Sequence, residues 1–206
     1  MGRRIRVSPG GWILAVGAGL IWAAEGWRQG MTAAEVAGAL RPWGVVLAAV
    51  LLHELGHVVA AWGGGVGIRG LRLDPFGARM ELEGLLSYGQ EMAVAVGGPL
   101  ASFLGAAWAY PLSCGGTGIF FWANLALGVV NLLPVGTLDG GRILRCGVAW
   151  LWGERAAAGV LRVTTAVGLG SLWLISVYGL LRGGQLLSGF VFSLCLLLRT
   201  VWGRDA

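Results

Sequence analysis

"LLHELGHVV", residues 51–59, sets two histidines and a glutamate in an otherwise apolar run. His53, Glu54 and His57 are flanked by Val50, Leu51, Leu52, Leu55, Val58 and Val59, and Ala60 and Ala61 follow. Such a run reads as the interior of a membrane helix. A charged group there costs about 2.5–3.5 kcal/mol on insertion scales, so three ionisable residues within five positions require a compensating role.

The surrounding chain supports the membrane setting. Its 206 residues are 56% hydrophobic and only 12% charged, against about 25% charged in a soluble domain, and the mean hydropathy is +0.75. That leaves too little polar surface to cover a soluble core. The expected fold class is an all-α polytopic membrane protein of about six transmembrane helices, forming a single domain over residues 1–206. The spans fall at about 10–25, 33–63, 90–111, 117–134, 159–181 and 185–202, with a polar, arginine-containing stretch at 139–158. The basic start and small residues near Ala23 and Ala24 mimic a signal peptide, but the further spans favour a retained first helix. The many glycines within the spans suit close helix–helix approach in lipid.

All fifteen basic residues are arginines. They are scattered between apolar stretches rather than clustered, which argues against nucleic acid as a partner. With the N-terminus in the cytoplasm, only Arg28, Arg41 and Arg182 fall on the far side, and the other twelve of the fifteen are cytoplasmic. That positive-inside bias places both termini in the cytoplasm. Cys114, Cys146 and Cys195 have no paired spacing and read as packing residues. Residues 66–84, "VGIRGLRLDPFGARMELEG", alternate apolar and polar positions around the turn signal "DPFG". They read as a small β-hairpin following the second helix, with an edge able to pair with an extended peptide.

His53 and His57 are four residues apart, so on a helix they share a face and can hold one metal ion. Glu54 then stands where it can take a proton from metal-activated water, the His-Glu-x-x-His arrangement of zinc hydrolases. These are the chain's only two histidines. A catalytic zinc takes three protein ligands and keeps one position open, so the third ligand is sought among the few acids. Glu25 and Glu35 lie on the far side, Asp74, Glu81 and Glu83 in the hairpin, Glu91 at the start of a span, Glu154 in a polar stretch and Asp205 at the tail. Asp139 remains, in "NLLPVGTLDGGRIL", on the same side as the histidines. Pro134 is expected to stop the preceding helix, and Gly140 and Gly141 to let the backbone turn sharply after Asp139.

"HELGH" at 53–57 together with "NLLPVGTLDGGR" at 131–142 resembles the paired motifs of the site-2 protease family of intramembrane zinc metalloproteases. "GGPLAS" at 97–102 resembles that family's Gly-Pro element, with Ser102 where many relatives have Asn, and no role is assigned to it. The resemblance covers about residues 45–145 and is greatest to the stage IV sporulation protein FB branch. It implies one zinc ion on His53, His57 and Asp139, water activation by Glu54, and a membrane-associated hairpin after the first motif. Asn131 matches the family's motif Asn, implying a contact with substrate backbone. The implied partners are a membrane-embedded or membrane-associated protein substrate, regulatory membrane proteins and the bilayer, here the bacterial cell membrane with the active-site opening towards the cytoplasm. No CBS or PDZ domain is expected within 1–206. A metal carrier or transporter would need polar residues along the other spans, which carry few. A non-catalytic binder of membrane proteins would not need the full set of four.

Overall fold

The computed structural model describes residues 23–74, 77–112 and 118–182. Residues 10–22 of the expected first span at 10–25, the expected span at 185–202 and the Pro-Phe of the turn signal lie outside the described residues.

Residues 23–28 are helical and end at Gly30, whose φ of 82° is available to glycine without strain. Helix α1 (Ala33–Gly63) follows. Thr32 caps it reciprocally with Glu35: the Glu35 amide donates to the Thr32 hydroxyl at 3.3 Å, and the Thr32 amide donates to the Glu35 carboxylate at 2.7 Å. The other end closes on "GGGV". The Val66 amide reaches the Ala61 carbonyl at 2.8 Å and the Gly65 amide reaches Trp62 at 3.1 Å, with Gly65 at φ 69°. Those crossed bonds satisfy orphan carbonyls at the helix end, and Val66 packs on Ala61 beside them.

Strands β1 (Ile68–Asp74) and β2 (Gly77–Leu82) pair antiparallel, from Asp74 opposite Gly77 to Ile68 opposite Leu82, with an irregularity near Ile68 and Gly70. Helix α2 (Tyr88–Leu112) opens on a second reciprocal cap, Ser87 with Gln90, at 3.1 and 3.2 Å. The Gln90 amide also donates to the Gly64 carbonyl at 3.3 Å, joining the start of α2 to the end of α1.

Helix α3 (Ile119–Asn131) has 13 residues, about 20 Å of rise, short of the ~30 Å of hydrocarbon. The expected span at 117–134 is therefore shorter than its apolar pattern suggested. Its continuation, 132–138, is not helical, yet Val135 is fully buried and Leu138 nearly so. Irregular backbone is tolerated at depth where protein surrounds it. Helix α4 (Asp139–Leu181) follows and breaks once, at Gly153 with φ 84° and ψ 166°. The stretch 139–158, expected as a polar connection, is helical apart from that break.

Among the described residues, three helices are long and apolar enough to cross a membrane: α1, α2 and α4 over Asp139–Gly179. Helix α2 is the centre, packing against α1, α3 and α4; 44% of its apolar window is buried, against 22% for α1 and 17% for α4. The interior is made of small side chains, among them Ala49, Ala61, Ala95, Ala106, Ala109, Ala149 and Ala157. Trp62, Trp108, Trp122, Trp150 and Trp152 face outward. Without a hydrophobic drive between helices in lipid, small residues that allow close backbone approach hold such a bundle together. Gly56 and Gly97 carry the closest approach. A Cβ on either would strike the backbone of the other, and Ala60 and Ala101 complete the seam.

Arg145 ties the starts of α2 and α4 together. Its guanidinium donates to Glu91 at 2.6 Å and to Glu154, beyond the Gly153 break, at 3.2 Å. Cys146 is buried beneath this cluster, as its packing reading requires.

Candidate metal centre

On α1, His53 and His57 project from one face, both buried, at 4% and 8% exposure. Their rings meet edge to face, centroids 5.0 Å apart. Asp139, also 8% exposed, is the first residue of α4, where the positive end of the helix favours a carboxylate. Its Oδ2 lies 3.2 Å from Nε2 of His53 and 3.3 Å from Nε2 of His57. Among the described residues, these three offer ligand atoms all within 4.8 Å of one another.

The opposite edge of each ring is held by α2. Nδ1 of His57 lies 2.8 Å from the Val94 carbonyl and 3.2 Å from the Gly98 amide. The carbonyl is nearer and can only accept, so it outweighs the longer approach of the Gly98 amide. The proton therefore belongs on Nδ1, and Nε2 presents a lone pair. Pro99 contributes by lacking the N–H that Ala95 would otherwise receive, which loosens the helical ladder at this turn. Nδ1 of His53 lies 2.9 Å from Oγ of Ser102.

Gly98 creates the space. A Cβ there would collide with Nε2 and Cε1 of His57 and with Nε2 of His53. Neighbouring glycines thus serve different ends: Gly97 admits the α1 backbone and Gly98 admits the imidazoles. Gly140 and Gly141 also depart from expectation. Both lie inside the first turn of α4 with ordinary helical backbone, so they do not turn the chain. A Cβ on Gly140 would strike the Leu132 carbonyl, and one on Gly141 the Val135 carbonyl. They let the segment before Asp139 fold back against the helix that Asp139 begins. That segment is braced from the far half of α4: the Gly136 amide donates to the Thr165 hydroxyl at 2.9 Å, and Val135 and Leu138 pack with Leu169.

The donor set fits a metal ion. A lone pair on His57 Nε2 and a carboxylate oxygen repel each other in a buried site unless a cation lies between them. Tetrahedral zinc with bonds near 2.0–2.2 Å holds neighbouring ligand atoms about 3.3 Å apart, matching the 3.2 and 3.3 Å found. Two imidazoles and a carboxylate leave a fourth position open for water or substrate. Glu54, one residue along α1 from His53, is half-buried.

Asn131, the last residue of α3, is not drawn into this cluster: its amide donates back to the Leu127 carbonyl at 3.0 Å. Asn124, fully buried between α3 and α2, donates to Phe120 at 2.9 Å and leaves Oδ1 without a partner. From the sequence, Gly98 and Ser102 stood within "GGPLAS" without a role, and neither Val94 nor Thr165 was singled out. One signal was available: Val94, Gly98 and Ser102 recur every four residues, matching the spacing of the histidines they face.

Three comparisons with known proteins bear on this geometry. The sequence pattern of Peptidase family M50 matches residues 115–175, the part that carries Asp139. A protein of Synechocystis sp. named among the zinc metalloproteases is 34% identical over 146 residues, 66% of this chain and 38% of its own. Stage IV sporulation protein FB of Bacillus subtilis is 36% identical over 107 residues, 48% of this chain and 37% of its own. The chain thus spans less than two fifths of the length of either relative. A solved structure, the Site-2 Protease from Methanocaldococcus jannaschii, superposes with a TM-score of 0.61 at 23% identity, covering 89% of this chain and 84% of that one. At that identity the likeness concerns the fold.

Proposed function

We propose, from its likeness to Peptidase family M50, to the zinc metalloproteases and to a site-2 protease fold, that the chain is a site-2 protease that hydrolyses a peptide bond of a membrane-embedded or membrane-associated protein. The observation carrying this is the meeting of His53, His57 and Asp139, two residues of α1 and one from far along the chain, at ligand distance in a buried place. One zinc ion is the cofactor these residues would hold. When bound, zinc acidifies water and polarises a carbonyl.

The remaining steps belong to the chain's own residues. Glu54 accepts the proton released as a water oxygen adds to the scissile carbonyl carbon. As the carbon–nitrogen bond breaks, it returns that proton to the leaving amine. Asp139 and the two imidazoles fix where the carbonyl is presented, and their burial keeps competing water few. Asn131 is assigned to substrate binding. Its place at the end of α3, just before the segment leading to Asp139, supports that role once its amide leaves Leu127. An edge of the β1–β2 pair is assigned to holding the substrate extended, by backbone hydrogen bonds.

The wider organisation is proposed as follows. The catalytic core spans about residues 45–145 of a single domain at 1–206. Six helices cross a bacterial cell membrane, with α3 and the irregular segment 132–138 together completing the fourth crossing. Both termini and the opening of the site face the cytoplasm, and the β1–β2 pair rests on the membrane. Regulatory membrane proteins are expected as further partners.

The test uses the purified full chain in lipid nanodiscs. Wild type should carry close to one zinc per chain and cleave a membrane-protein substrate, and Glu54→Gln should keep the zinc and lose cleavage by about 100-fold or more. Cleavage unaffected by that change would sink the mechanism.

A further inference from the structure

We infer that Ser102 is a positioning residue that sets the protonation pattern of His53, and through it the strength of the metal site. This rests on the zinc reading given above. The argument begins with the two histidines, which share a helix face but are anchored differently. The acceptor for His57 is a backbone carbonyl, Val94, 2.8 Å from Nδ1. That for His53 is a side chain, the hydroxyl of Ser102, 2.9 Å from Nδ1. Ser102 is fully buried, at 0% exposure, so water does not compete for that bond.

A neutral imidazole carries one proton. For His53 to present its Nε2 lone pair beside Oδ2 of Asp139, 3.2 Å away, the proton must sit on Nδ1. It then requires an acceptor within reach. Ser102 Oγ is that acceptor, and the hydroxyl's own proton is free to turn to a carbonyl of the preceding helical turn, as serine in helices commonly does. Residues 94, 98 and 102 of α2 thus present acceptor, gap and acceptor in one line against the two rings. Only the last is made by a replaceable side chain. With Ala at 102, the proton on Nδ1 would be left buried without a partner. The alternative, moving it to Nε2, would remove the lone pair from the site. Outer partners of this kind fix ring orientation and tautomer in metal sites, and their loss typically weakens metal binding by about 10–100-fold.

The chain's two histidines make the test clean, because histidine labelled with ¹⁵N in the ring alone reports two imidazoles and nothing else. Zinc affinity is measured by competition with a chromophoric chelator, on wild type, Ser102→Ala, Ser102→Thr and, as a control on the outward face of α2, Leu104→Ala. Ser102→Ala should bind zinc about 10–100-fold more weakly, Ser102→Thr should recover most of that loss, and Leu104→Ala should match wild type. In the zinc-loaded protein, the Nδ1–H signal of His53 should shift and exchange faster with solvent in Ser102→Ala. That of His57, held by Val94, should stay in place. Unchanged zinc affinity and an unchanged His53 signal in Ser102→Ala would overturn the role of Ser102 and leave the metal site standing. Equal movement of both histidine signals would overturn it as well, since that marks a general loosening of α2. Wild type that binds no zinc would overturn both readings.

Discussion

The two halves of the metal centre are built in opposite ways. The histidines sit mid-helix on α1 and are held from α2 by the Val94 carbonyl and Ser102 Oγ, across a glycine seam with no room to shift. Asp139 starts a helix, preceded by seven irregular residues, and its placement depends on Thr165 and Leu169 in a distant part of α4. The first half is positioned by helix–helix contact and the second by a braced turn. Ligand geometry should therefore be least tolerant where α1 meets α2, and softer where the turn is braced.

Three substitutions probe that difference. Gly98→Ala should have the largest effect, because the new methyl occupies the space of both imidazoles. Zinc affinity should fall by about 100-fold or more, at or beyond the upper end of what losing an outer partner costs, because here the ligands themselves are displaced. Zinc content after dialysis checks it, and retention of the metal would show that the seam yields more readily than its packing implies. Gly140→Ala comes next. Its methyl meets the Leu132 carbonyl, so the segment before Asp139 must move while the histidines keep their α2 partners. A weakening of about 10–100-fold is expected, with both histidine Nδ1–H signals unchanged. Thr165→Val is smallest. It leaves the Gly136 amide without its acceptor, at a cost of about 1–3 kcal/mol if that group stays dry. The denaturation midpoint should fall accordingly, with zinc affinity down about tenfold at most. If Thr165→Val weakened zinc as much as Gly98→Ala, the contrast between the halves would collapse.

The sequence was informative where chemistry is written locally. His53 and His57 announce themselves by spacing within an apolar run, and Asp139 by being the one acid left on the right side. Long apolar periodicity likewise located α1 and α2. What it concealed depends on neighbours distant along the chain. Nothing near Gly98 says that imidazoles fill its missing side chain, and nothing near Gly140 says that a carbonyl from residue 132 passes there. The "GG" after Asp139 looks like a turn because glycine tolerates turns. Here it serves a helix under close approach, which the same two letters encode equally well. The length of α3 was hidden for a related reason: residues 132–138 are as apolar as the helix before them, and only Pro134 hints that the ladder stops.

The brace from Thr165 to Gly136 also imposes an order in time. A chain threaded into the bilayer from its N-terminus has both histidines and both of their acceptors once residue 102 has emerged. The turn that presents Asp139 stays unsupported until residue 165 arrives and folds back past the break at Gly153. During synthesis, the metal site is thus completed late, after the helices that carry and anchor its histidines have been inserted.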